Sequence, residues 1–175
     1  MFWLKWVLTV FAFPIGGAAA IAVARSLSGP VSAAIGGATA GAIIGAAQWL
    51  VLRQSIGVGA SWIAATGSGL ALGLAVAVAL FGTGTVGGQL VIRALIVGAV
   101  VGFMQWLILR HYVSMAWVWV LAVAVCWAVG WIVTRAAGVD LARGWYVFGL
   151  SGAAVFVALT GTVLIWLLRH PVPKT

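Results

Sequence analysis

Asp140 is the only carboxylate side chain in the 175-residue chain. The chain has two histidines, His111 and His170, and one cysteine, Cys126. Hydrolysis by paired carboxylates lacks its second acid. Zinc chemistry of the His–Glu type lacks its glutamate, and proton transport through buried acids lacks the acids. A Ser–His–Asp arrangement would need Asp140 beside His111 or His170, but threading the chain through a membrane, as argued below, puts it on the opposite side. Asp140 lies five residues after Arg135 and three before Arg143, which reads as an ion pair within a loop. No Walker loop or dinucleotide fingerprint occurs. A histidine at a membrane helix end can ligate haem or a chlorophyll-type magnesium, which makes His111 and His170 the candidate pigment ligands. Neither has a second His at helical spacing, and no other metal site is expected. The expectation is a protein that is not an enzyme and carries no cofactor.

The polar residues with a pattern are Gln48 and Gln105. Residues 41–53 read GAIIGAAQWLVLR and residues 98–110 read GAVVGFMQWLILR; eight of thirteen positions are identical and three more exchange Ile and Val. Gly41, Gly45, Gln48 and Leu52 follow i, i+4, i+7, i+11 and share one helix stripe. Gly98, Gly102 and Gln105 repeat it. Paired small residues let another helix approach closely, and a Gln amide on the same stripe can bond across the contact, worth about 0.6–2 kcal/mol in a membrane. Helix packing is therefore expected of Gly41, Gly45, Gln48, Gly98, Gly102 and Gln105, and of Gly161 in a later copy. The competing reading turns both glutamines toward a solute or pigment.

The elements that position these residues follow from composition. The chain is 65% hydrophobic and 6% charged, with a mean hydropathy of +1.26, far from soluble usage of about 25% charged. Six apolar segments, about 3–24, 33–53, 60–81, 90–110, 116–135 and 146–169, can each cross a core of about 30 Å. Turn residues separate them, as in Ser26-Leu27-Ser28-Gly29-Pro30 and Gly82-Thr83-Gly84-Thr85. Lys5 and Ala22-Val23-Ala24 give the first segment some likeness to a secretory signal, but it belongs to the repeat and is expected to be retained as a membrane helix. Continuous apolar runs disfavour a β-barrel. The nine Lys and Arg are scattered among helix ends, so the net charge of +8 forms no nucleic-acid face.

Trp6 and Gly17, Trp62 and Gly73, and Trp119 and Gly130 are each eleven residues apart on the first, third and fifth segments. With the repeated stripe, these landmarks divide a single membrane domain, 1–175, into three hairpins of about 1–56, 57–113 and 114–175. The third is diverged: Leu164 stands where the others carry Gln. Two crossings per unit give parallel copies related by an axis along the membrane normal. The expected fold is all-α, six transmembrane helices in a pseudo-threefold of two-helix hairpins.

Arg53, Arg110 and Arg169 end the second, fourth and sixth segments, where a cation meets free carbonyls and headgroups. Trp6, Trp49, Trp62, Trp106, Trp119 and Trp166 fall near the same side. The expected role of these tryptophans and arginines is interfacial anchoring, or docking of lipid or a partner. Five Lys/Arg on the N-terminal side against four opposite tip the termini toward the cytoplasm.

The repeated Gly-x-x-x-Gly-x-x-Gln-Trp-Leu-x-Leu-Arg end, followed each time by a Trp-led apolar helix, resembles a group of uncharacterised bacterial multi-pass membrane proteins. The resemblance covers most of residues 1–113. It implies the architecture and a bacterial inner-membrane location, and transfers no site. Three functions compete: an accessory or scaffold subunit whose partners are membrane lipids and other membrane subunits; a small transporter or channel for a neutral or weakly polar solute, lined by Gln48, Gln105 and hydroxyls such as Thr66, Ser68, Thr160 and Thr162; and a pigment- or haem-binding subunit.

Overall fold

The structure, a computed structural model, describes residues 1–25, 29–83, 88–138 and 149–173. Six helical spans among them are long and apolar enough to cross a membrane. The first comprises α1 (Phe2–Val7), a 3-10 turn (Leu8–Phe11) and α2 (Ala12–Ala24). The others are α3 (Pro30–Ile56), α4 (Ser61–Phe81), α5 (Gln89–Leu109), α6 (Trp117–Ala136) and α7 (Leu150–Leu168). The chain is an all-α multi-pass membrane protein.

Two departures from the expected spans have local causes. Pro14 lacks an N–H for the Val10 carbonyl and crowds it, so the first span tightens into a 3-10 turn just before that proline. The second span starts at Pro30, not near residue 33, because proline suits the first helical position. There the Ser32 hydroxyl accepts the Gly29 N–H at 3.2 Å. At 27 residues this helix is about 40 Å long, so it tilts or projects beyond the hydrocarbon.

Spans that follow one another in sequence pack side by side from α2 to α7, and α7 returns to α1. Glycine sets how closely they approach. A Cβ built on Gly37 would lie 2.6 Å from the Leu70 carbonyl oxygen, one on Gly41 2.7 Å from that of Thr66, and one on Gly45 2.9 Å from Thr66 Cβ. Between α5 and α6, a Cβ on Gly98 would lie 2.7 Å from Ala124 Cα and one on Gly102 2.9 Å from Val120 Cα. Gly69 and Gly73 hold α4 equally near Val101 and Val97 of α5. Gly152 of α7 leaves no room for a side chain against Gly130 and Thr134 of α6. The outer surface carries exposed Leu8, Ile15, Val31, Leu72, Leu80, Leu121, Val125 and Ile132, the pattern of a bundle solvated by lipid.

The return of α7 to the first span is made by hydrogen bonds from two indoles. Trp3 Nε1 donates to the Ala158 carbonyl at 3.2 Å and lies 3.3 Å from Thr162 Oγ1; Trp6 Nε1 donates to Thr160 Oγ1 at 3.2 Å. Gly161 makes room for both rings, its Cβ position being 2.8 Å from Trp6 Cδ1 and 3.3 Å from Trp3 Cδ1. Thr160→Val keeps the shape and removes the buried acceptor. It is expected to cost about 1 kcal/mol, read as a lowered unfolding midpoint in detergent. An unchanged midpoint would mean that the Trp6–Thr160 bond contributes nothing.

Candidate functional site

Gln48 of α3 and Gln105 of α5 are 3% and 2% exposed, and α4 and α6 each supply an indole to one of them. Trp62 Nε1 donates to Gln48 Oε1 at 3.1 Å, and Trp119 Nε1 donates to Gln105 Oε1 at 2.9 Å. Gln105 Nε2 joins the two halves by donating to Thr66 Oγ1 at 2.9 Å and to Gln48 Oε1 at 3.3 Å. The Thr66 hydroxyl in turn donates to the Trp62 carbonyl at 2.9 Å. The result is a closed network of five side chains from four helices. Both indoles, the Thr66 hydroxyl, the Gln105 amide and the Gln48 carbonyl oxygen thus have protein partners, which lowers the cost of burying them in a low-dielectric interior.

Trp6, Trp62 and Trp119 meet inside the bundle. The Trp6 and Trp119 ring centroids are 6.1 Å apart and nearly perpendicular; those of Trp62 and Trp119 are 6.5 Å apart. A second group of rings, Phe13, Trp127 and Phe156, packs nearby, with centroids 5.7 Å (Phe13–Phe156) and 5.2 Å (Trp127–Phe156) apart. The interfacial reading of Trp6, Trp62 and Trp119 is therefore corrected: they are 0%, 0% and 1% exposed and can touch neither headgroups nor a docked partner. A tryptophan near a helix end is fixed in depth by the sequence but not in azimuth, and these three point inward because buried acceptors await their N–H groups.

The remaining members of that set stay at the rim. Trp49 and Trp106 are half-buried, and Trp166 is exposed. Arg53, Arg110 and Arg169 are exposed. The Arg53 guanidinium lies 4.7 Å from the Trp49 ring centroid, and that of Arg110 lies 5.3 Å from Trp106. In the third copy Ile165 stands four residues before Arg169, and the next residue, Trp166, meets a histidine, its ring 4.9 Å from that of His170. His111 and His170 are both exposed, and His170 Nδ1 is within 3.0 Å of the Trp166 carbonyl. The segment after α5 pairs with the chain beyond α7: Ser114 N–H donates to the His170 carbonyl and Val172 N–H to that of Tyr112. In the first copy Gln54 occupies the position of these histidines and accepts a 2.9 Å bond from Lys5 Nζ.

The hydroxyls suggested as a solute lining are divided. Thr66 and Thr160 are buried and bonded within the core, whereas Ser68 and Thr162 donate to carbonyls four residues back in their own helices. Among the described residues no group of three or more His, Cys, Asp or Glu could hold a metal ion. The suggested loop ion pair of Asp140 with Arg135 or Arg143 falls outside the described residues, which end at Gly138 and resume at Gly149.

Comparison with known protein families, curated proteins and solved structures finds no match to this chain.

Proposed function

We propose that this protein is a non-enzymatic accessory or scaffold subunit of a larger membrane complex, seated in a bacterial inner membrane with both termini in the cytoplasm. The observation that carries the reading is where its polar groups go. Gln48, Gln105, Thr66, Trp62 and Trp119 are engaged with one another. A transporter lined by those glutamines would have to break this network to expose them. What faces outward is apolar side chain along the spans and a Trp–Arg rim at one end.

The pseudo-threefold arrangement of hairpins belongs to the same proposal. Gln48 to Trp62 and Gln105 to Trp119 are the same bond at the same spacing of fourteen residues. Trp6 takes the third place with Thr160, one turn before Leu164, which stands where the other copies have Gln. A lost Gln is thus compensated by a hydroxyl on the same helix.

A photoreactive residue at Trp117, which is 56% exposed, tests the scaffold reading in native membranes. The expected result is one discrete cross-linked species of larger mass, absent when the probe replaces buried Trp119. Solute flux in proteoliposomes that is abolished by Gln48→Leu, with no cross-linked species, would replace the scaffold with a transporter.

A further inference from the structure

We propose that the Trp49–Arg53 and Trp106–Arg110 ends form a recognition surface for the headgroups of anionic phospholipids. Each guanidinium packs over an indole, which occupies the planar face of the cation and leaves its N–H edge free. Among the described residues neither arginine has a hydrogen-bond or carboxylate partner. The Trp49 ring is itself fixed, its Nε1 donating to the Val58 carbonyl at 3.0 Å. A guanidinium held this way is ready to make the two parallel bonds that suit a phosphate.

Charge points to the same ligand. Lys5, Arg53, Arg110, Arg169, His111 and His170 share the end of the bundle where α1 starts and α3, α5 and α7 stop. The one Asp or Glu in the sequence, Asp140, comes four residues after α6 ends. Among the described residues the basic rim has no acidic side chain to neutralise it. Six apolar spans place that rim at a membrane surface, so the phosphate it meets is a lipid's.

The diverged copy supplies a control. Arg169 has Ile165 four residues back, and the neighbouring Trp166 packs against His170 instead. Arg169 is therefore expected to matter less than its two counterparts.

The test is native mass spectrometry of the full chain in detergent with equal amounts of phosphatidylglycerol and phosphatidylcholine. Wild type is expected to retain phosphatidylglycerol selectively. R53Q/R110Q is expected to lower that selectivity about fivefold, as two exposed charge-assisted contacts would. R169Q, and R25Q/R135Q at the opposite end, are expected to leave it within about twofold. R53K/R110K, which keeps the charge and loses the fork, is expected to fall between wild type and R53Q/R110Q. Arg25, Arg53, Arg110, Arg135 and Arg169 are all exposed, so folding is expected to persist, checked by an unchanged unfolding midpoint. Equal selectivity in wild type and R53Q/R110Q, an equal loss in R25Q/R135Q, or displacement of the lipid by excess inorganic phosphate would overturn the proposal.

Discussion

Gly98→Ala is expected to destabilise the protein by about 1–3 kcal/mol, although Ala is the better helix former by about 1 kcal/mol. The added methyl would sit 2.7 Å from Ala124 Cα, 2.7 Å from Trp127 Cβ and 2.8 Å from the Val123 carbonyl oxygen. Two of these atoms are backbone, and the third is fixed to it, so no side chain can rotate away. Relief requires α5 and α6 to separate, which strips dispersion contacts along their whole interface. Gly67→Ala is the matched control. Its new methyl would lie 3.5 Å from the Ala38 carbonyl oxygen, an ordinary contact, so the helix-propensity gain is expected to survive. Unfolding midpoints in detergent should fall for Gly98→Ala and hold or rise for Gly67→Ala. The opposite order would contradict the close approach of α5 to α6.

Gln105→Leu is expected to cost about 1–3 kcal/mol, and more than Gln48→Leu. Leu fills a similar volume, so the loss lies in hydrogen bonds and not in a cavity. Removing the Gln105 amide leaves the buried Trp119 N–H without its acceptor and uncouples Thr66 and Gln48 from α5. Removing the Gln48 amide strands the Trp62 N–H, while Gln105 keeps its bonds to Trp119 and Thr66. Equal midpoints for the two variants would show that Gln105 does not bridge the halves of the core.

The number of spans and their approximate limits were legible because hydropathy and turn residues act locally. The Gly41, Gly45 and Gln48 stripe was legible because helical periodicity puts its members on one face. What that face meets was not written there. Nearness to helix ends predicts an interfacial position for Trp6, Trp62 and Trp119, since depth follows from position along the span. Their inward rotation depends on acceptors fourteen residues upstream, or at Thr160 across the whole chain. A signal did exist: the constant spacing from Gln48 to Trp62 and from Gln105 to Trp119 ties each amide to the indole of the next span. Pro14 likewise announced the 3-10 turn, although the continuous apolar run masked it.

Hydrogen exchange at the indoles measures directly whether the core network is closed and dry. In a tryptophan-labelled sample moved to heavy water, Trp6, Trp62 and Trp119 indole N–H signals are expected to persist long after that of exposed Trp117 has gone. Exchange of all four at similar rates would mean that water reaches Gln48 and Gln105. The network would then line a solute path, and the reading of these residues as internal packing would be wrong.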